Sequence, residues 1–381
     1  MTMSAPRTFI DIHVLQTVPP SCINRDDTGS PKTATYGGVR RHRVSSQAWK
    51  KAARSDFNDR LDIGKIGERT LRVVERIAER MRELDPSLED PRRDEAATAV
   101  LEAAGVKVKI EKKKSEDEGS EQRRTGYLVF LSRAQIDALA RIGIDHLNGE
   151  KMDKKAAKQA FADENSIDVA LFGRMIADAP DLNVDAACQV GHAISVHAAT
   201  AEFDYFTAVD DNAPTDNVGA GMIGTVEFVS STLYRYATVD AVRLKENLGS
   251  SEAAARAVEA FARSFLLSMP TGKQNTFANR TRPGVVLVEV RQDQPVNLAG
   301  AFEDPVRADG GMLPRAAGKL VGQALAEDES FGTSPVRSAI LVADPAAEES
   351  VAPILSRAER TTLDELVALL ATTVSERLEL A

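Results

Sequence analysis

Residues 29 to 55, GSPKTATYGGVRRHRVSSQAWKKAARS, hold Lys32, Arg40, Arg41, Arg43, Lys50, Lys51 and Arg54 and not one acid. Asp26, Asp27 and Asp56 stand at its edges. The second half of this stretch is the strongest local constraint on the fold. Ser45 is a natural N-cap, and Trp49, Ala52, Ala53 and Phe57 fall on one stripe of a helix. Gln47, Lys50, Lys51 and Arg54 then lie on the opposite side. Free N–H groups at the helix start and cations along its polar face would both suit a phosphate. On charge alone an ordinary solvated helix face is the better account.

The island is more informative because the chain around it is acidic. The sequence has 48 Lys and Arg against 57 Asp and Glu, a formal charge of -9. Nonspecific affinity for nucleic acid is disfavoured unless positive charge gathers on one face. A chain of 381 residues suits two domains, or one domain with large insertions. No apolar run is long enough to cross a bilayer, and no secretion signal is expected. Cys22 and Cys188 are too few and too far apart for a disulfide framework, which suggests a reducing cytoplasmic home.

Along the chain, residues 8 to 18 alternate as a strand that Pro19-Pro20 should end. Residues 21 to 38 read as loop. A second helix is expected from Leu61 to Leu84, and a third up to Gly105. Val106, Val108 and Ile110 suggest a strand paired with Tyr127–Leu131, with a charged tip at 111 to 124. Ser132 caps a further helix, and a Lys-rich helix follows between Glu150 and Asp163. Residues 61 to 165 thus read as one insertion, mostly helical with a hairpin. Ile167–Met175 reads as strand, as do much of 188 to 209 and the run from Thr225 to Leu244. The turn-rich segment 210 to 224 separates the last two. Ser250–Met269 is a helix and Val285–Val290 the most strand-like segment. Residues 291 to 338 are loop-rich, then Ser338–Val342 is a short strand. Thr362-x-x-Glu365 is a capping box for a C-terminal helix. With the insertion set aside, the order is β-α-β-β-α-β. That is an α+β, ferredoxin-like or RRM-like order, interrupted at 61–165 and near 196–228.

Constellations for chemistry are weak. Gly219, Gly221 and Gly224 match GxGxxG, but strand rather than helix follows, so turn chemistry is the better account. Cys188, His192 and His197 lack a fourth ligand for zinc. His13 and His42 could serve as base and acid in RNA cleavage, yet nothing in the sequence brings them together. Asp26-Asp27 and Asp210-Asp211 lie in turns, where Asp bonds its own backbone. No catalytic residue, metal or cofactor is expected. Met175, and Met222 with Ile223 on the glycine-rich projection, are apolar residues in polar surroundings. Such residues can wedge between nucleic-acid bases or contact a neighbouring subunit.

The segments SCINRDD, YGGVRRHRVSSQ, DVALFGRM, HAISVH, FDYFTAVDD, GTVEF, YRYA and LKENLG, in this order, resemble the CasC-type backbone subunit of the type I-E CRISPR Cascade complex. The likeness runs from about Phe9 to Pro283. The resemblance implies a hand-shaped, non-catalytic subunit. Its RRM-like palm would be residues 1–60, 166–195 and 229–381, with the C-terminal helix in the last part. Fingers would be 61–165, and a β-hairpin thumb 196–228. Copies would stack head to tail along the crRNA, beside other Cascade subunits, and present segmented bases to target DNA. The resemblance implies RNA contacts from Asn24, Arg25, Arg41, Ser45, Ser46, Gln47, Lys50, Lys51, Arg54, Arg174 and Met175. Thr207, Met222 and Ile223 would act from the thumb, with Met175 and Ile223 flanking the displaced nucleotide. The tip 111–124 departs from the family pattern. An endoribonuclease that processes CRISPR transcripts, and a freestanding RNA chaperone, are the competing readings.

Overall fold

The computed structural model describes residues 7–112, 121–208, 222–307 and 311–380. In chain order the strands are β1 (Phe9–Ser21), β2 (Thr33–Tyr36), β3 (Val39–Val44), β4 (Gly67–Thr70), β5 (Val108–Lys112), β6 (Glu121–Thr125), β7 (Val129–Ser132), β8 (Cys188–Val190), β9 (Ala193–Ser195), β10 (Glu202–Ala208), β11 (Met222–Asp240), β12 (Val285–Arg291), β13 (Arg337–Val342) and β14 (Glu359–Arg360). The helices are α1 (Ser46–Arg60), α2 (Val73–Leu84), α3 (Asp90–Ala104), α4 (Arg133–Leu147), α5 (Lys154–Ala162), α6 (Ile167–Phe172), α7 (Ala241–Leu248), α8 (Ser251–Leu267), α9 (Gln274–Phe277), α10 (Met312–Phe331), α11 (Glu348–Val351) and α12 (Leu363–Glu379). The chain divides into two compact units. One holds residues 1–56, 189–241 and 258–381, the other 57–188 and 242–257.

The first unit is built on a sheet of order β14-β13-β12-β1-β11-β9-β3-β2. β1 lies antiparallel between β11 and β12, with Ile12 opposite Ala237 and Val288. That arrangement is the centre of the ferredoxin-like fold: first strand flanked by the third and the last. Pro19 and Pro20 do not end β1. They sit where its register with β11 shifts, between Val18 and Ser21, because an irregularity tolerates a missing N–H.

The two faces of this sheet bury different chemistry. On one, Val14 lies opposite Arg235, whose guanidinium stacks 3.7 Å over Trp49 of α1 and 4.4 Å over Phe265 of α8. Arg235 also donates to Gln16 Oε1 and to the Phe265 carbonyl. The other face carries Leu15, Tyr234, Tyr236 and Leu287. It is closed by Leu298, Phe302 and the Leu313, Ala316 and Leu320 side of α10. Residues 291 to 338 are therefore not simply loop. Leu313, Ala316, Ala317, Leu320, Val321 and Ala324 make a helical stripe that the sheet face requires.

Further corrections concern pairing. Residues 33 to 44 are a hairpin, so the loop expected over 21 to 38 is in part strand. Gly37 (φ 58°) and Gly38 (φ 75°) supply the left-handed pair of a tight two-residue turn. β11 stops at Asp240 and α7 follows, so the strand expected to Leu244 is shorter.

In the second unit, α2, α3, α4 and α5 pack around Ile77, Met81, Val100, Leu101, Leu139 and Phe161. The helix expected from Leu61 is strand at first: β4 pairs with β7, Gly67 opposite Ser132. Tyr127–Leu131 is thus not the partner of Val108. β5 instead pairs with β6, Val108 opposite Thr125, and the tip between them lies outside the described residues. Ile167–Met175 is also not strand. Residues 167–172 form α6, whose Asp168 carboxylate accepts from Gly67 N–H at 2.8 Å and from the Ser166 hydroxyl at 2.8 Å. β-Branched residues suggested a strand, and a tertiary hydrogen bond decided for the helix. Ser132 and Thr362 cap α4 and α12 as expected; the capping box at Thr362 was legible in the sequence, and Ser132 forms one with Gln135 as well.

Candidate nucleic-acid interface

The basic stretch is laid along the first unit by a chain of hydrogen bonds. Asn24 Oδ1 accepts from the Ser45 N–H at 2.9 Å, which ties the loop after β1 to the start of α1. Asp26 closes that loop on itself, accepting from Thr28 N–H, Thr28 Oγ and Ser30 N–H. Ser45 caps α1, its hydroxyl accepting from Ala48 N–H at 3.3 Å. Ser46 N–H donates to His192 Nδ1 at 3.0 Å. Burial, then Arg43 and Lys32, lower the His192 pKa, so the ring stays neutral and keeps the lone pair that this bond needs.

This partly corrects the expectation for the helix start. The Ser45, Ser46 and Ala48 amides are bonded internally, so those three are not donors for a phosphate. Trp49, Ala52, Ala53 and Phe57 are buried as the periodicity predicts, and Gln47 and Lys51 are exposed with Ser46, Lys50 and Arg54 half-buried. Arg25 and Arg40 are exposed, while Asn24, Lys32 and Arg43 are half-buried.

Two expected RNA contacts are elsewhere. Arg41 is fully buried and donates to the carbonyls of Tyr36 (3.0 Å), Ser195 (3.1 Å), Phe302 (2.8 Å) and Glu303 (3.1 Å). In β3 it shares a face with Arg43, opposite to that of Arg40, and its guanidinium is the one that these carbonyls enclose. In the second unit Arg174 is buried, donating to the Phe161 carbonyl at 2.7 Å and the Leu182 carbonyl at 3.0 Å. Burial pushes its pKa down to about 10. Both guanidinium groups are committed to backbone oxygens, which removes them from the set that can grip a phosphate. Its neighbour Met175 is 76% exposed.

β10 and the first part of β11 form a two-stranded ribbon, from Glu202 opposite Phe228 to Ala208 opposite Met222. Thr207 is exposed and lies opposite Ile223. Met222 and Ile223 are placed by their backbone, and Asp210, Asp211, Gly219 and Gly221 lie outside the described residues. Sequence reasoning passed over the aromatics of this ribbon. Phe203 is 69% and Tyr205 65% exposed, and Phe206 covers Gly224, where a Cβ would lie 2.5 Å from the ring. Their signal was present: Phe203 and Tyr205 alternate with Asp204 in a strand that has no core to enter.

The histidines do not form a reaction centre. His13 is fully buried, its Nδ1 3.0 Å from the Tyr234 hydroxyl, and His42 Nδ1 is 2.8 Å from the Ser231 hydroxyl. β11 and β9 separate their strands. Burial is the main cause that lowers each pKa to about 4. His197 binds the Ala198 carbonyl through Nδ1 and accepts from Thr232 N–H through Nε2.

The covered sheet face holds a cluster of its own. Glu289 accepts from Arg291 at 2.7 Å and Arg357 at 2.6 Å, and Asp328 lies 3.2 Å and 2.9 Å from the same two guanidinium groups. Asp11 accepts from the Tyr236 hydroxyl at 2.8 Å and Val296 N–H at 2.9 Å. Burial raises the Asp11 pKa to about 6 against those bonds. Burial also pushes the Glu289 carboxyl up, but His13, Arg291 and Arg357 more than reverse it.

An RRM commonly stacks bases on aromatics of its open sheet face. Here Tyr234 and Tyr236 occupy that face but are enclosed by Leu298, Phe302 and α10. The first unit is therefore an RRM-like domain that keeps its polar surface at the loop and helix beside the sheet. The family to which such a domain belongs is found by comparison: the CT1975-like protein family matches residues 10–369, and the chain belongs to it. Two solved structures are similar along nearly the whole chain. One is a chain of a "CRISPR RNA-guided surveillance complex, pre-nicking", 36% identical, covering 95% of this chain and 100% of that one at a TM-score of 0.83. The second, from a "CRISPR RNA-guided surveillance complex", is 31% identical over 95% and 99% at 0.73. No curated protein sequence matches.

Proposed function

We propose that this chain is a non-catalytic, crRNA-binding backbone subunit of a type I-E CRISPR Cascade complex. Copies assemble head to tail along the guide with other Cascade subunits, in the cytoplasm, and offer its bases to target DNA. The observation that carries this reading is the full-length likeness, at 36% identity, to a subunit of an RNA-guided surveillance complex. The site is consistent with it. Asn24, Arg25, Ser46, Gln47, Lys50, Lys51 and Arg54 form a polar rim, suited to sugar and phosphate rather than to base edges. A subunit that must hold any guide sequence needs that indifference, since pairing supplies specificity. Met175 in one unit and Thr207, Met222 and Ile223 on the ribbon are the residues we assign to segmenting the guide.

The endoribonuclease reading has less support, because His13 and His42 are both enclosed and separately bonded. The test replaces Lys50 and Arg54 together by Glu and measures binding to single-stranded RNAs of unrelated sequence. Affinity should fall alike for all of them, and the log–log salt slope should become shallower by about 1.4, roughly 0.7 for each lost phosphate contact. A loss confined to one sequence would refute backbone binding. RNA cleavage products that vanish on replacing His13 or His42 would favour the nuclease.

A further inference from the structure

The segment between α8 and β12 has no part in the reading above, and its backbone is unusual. Lys273 (φ 50°) and Ala278 (φ 47°), one on each side of α9, are two of the three non-glycine residues with positive φ among those described. Side chains with a Cβ resist this conformation, and it persists where the surroundings over-determine it. The surroundings here do. A Cβ on Gly272 would lie 2.4 Å from the Ile23 carbonyl oxygen, so the loop rests directly on the backbone beside Asn24 and Arg25. Asn279 is buried and donates to the Gly272 carbonyl at 3.3 Å. The Thr281 hydroxyl donates to the Thr17 carbonyl at 2.8 Å, and Gln16 donates to the Thr281 carbonyl at 3.0 Å. Phe277 leans on Phe228, ring centres 6.0 Å apart, at the root of the ribbon.

What this bracing presents is polar and cationic. Lys273 and Gln274 are half-buried, Asn275, Thr276, Arg280 and Arg282 are exposed, and no acid occurs from 268 to 288. Lys273 and Arg25 converge on Cys22, where both oppose the upward push of burial on the thiol while Glu227 and Asp26 add to it. Lys, Gln, Asn and Thr are the side chains that hold phosphate and sugar.

We propose that residues 271–282 form a second grip on the sugar–phosphate backbone of single-stranded RNA, continuous with the Asn24–Arg25 loop. Lys273 takes a phosphate, and Gln274, Asn275 and Thr276 bond phosphate oxygens or 2′-hydroxyls. This inference rests on the RNA-binding reading of the chain.

The test uses Lys273→Gly in the full chain. Glycine accepts the left-handed backbone, so thermal stability should hold or rise while the cation is lost. Affinity for two single-stranded RNAs of unrelated sequence should fall several-fold for both, with the salt slope shallower by about 0.7. Lys273→Arg should restore both. If Lys273→Gly binds with unchanged affinity and slope while the Lys50 and Arg54 double substitution fails, this loop is no grip although the RNA-binding reading stands. If both variants bind as the unaltered protein does, that reading falls and takes the inference with it. Normal RNA binding with impaired self-association would assign the loop to an acidic protein surface and overturn the proposal.

Discussion

Two regions of the first unit are both rich in charged side chains and have opposite surroundings. The rim from Asn24 to Arg54 carries its cations at the surface, on a loop and helix whose backbone is tied down by Asn24, Ser45 and His192. The cluster of Asp11, Glu289, Arg291 and Asp328 lies beneath α10, with Arg357 at its margin, and its carboxylates and guanidinium groups answer one another. A dense set of ionisable groups therefore does not mark a binding site by itself. Access to water does. The buried cluster holds the C-terminal segment on the sheet, and the rim is left for a ligand.

The contrast is sharpest where a buried charge loses its partner. Glu289→Ala leaves Arg291 and Arg357 with Asp328 as the carboxylate they still share, and this partial loss of a buried network should cost about 3 kcal/mol. Urea unfolding measures this, and a loss below about 1 kcal/mol would mean that solvent already screens the cluster.

Arg41 tests the boundary between the regions, because it is buried within the basic stretch. Arg41→Met strands the carbonyls of Tyr36, Ser195, Phe302 and Glu303 and should cost about 2–3 kcal/mol. Arg40→Met, one residue away and exposed, should stay within about 0.5 kcal/mol. Equal effects in denaturation would erase the distinction.

Acid should act on the enclosed groups. The folded pKa of His42 is lowered to about 4, so its stabilising contribution is complete above its ordinary value of 6.5 and is lost as pH falls toward 4. His13 behaves the same way. Asp11, raised to about 6, has the opposite sign and favours the folded state as pH drops through the same window. Two protons against one leave the protein weaker in acid. His42→Gln should flatten the stability slope between pH 6 and 4 by about 1.4 kcal/mol per pH unit. An unchanged slope would show that His42 is not enclosed.

The smallest effect on stability belongs to the rim. Lys51→Ala should change it by less than about 0.5 kcal/mol while weakening RNA binding for every sequence alike. A destabilised variant with normal RNA affinity would reverse the assignment of the two regions.

What could be read from the sequence was what neighbours in the chain decide. The stripe Trp49, Ala52, Ala53 and Phe57 is set by helical spacing, and the caps at Ser132 and Thr362 by atoms three residues apart. Strands β1 and β12 declared themselves by runs of β-branched residues. So did the placement of Lys51 and Gln47 on the outer side of α1. What the tertiary structure decided depended on partners far along the chain. β4 is a strand because β7 lies beside it, and α6 is a helix whose Asp168 reaches Gly67. Arg41 turns inward because carbonyls from residues 195, 302 and 303 converge on it. The loop at Lys273 is held left-handed by contacts with the Ile23 backbone and Phe228. Periodicity and caps are local sums that a single segment can complete. A buried arginine, or a strand with one pairing neighbour, is settled only when the distant chain arrives to satisfy its hydrogen bonds.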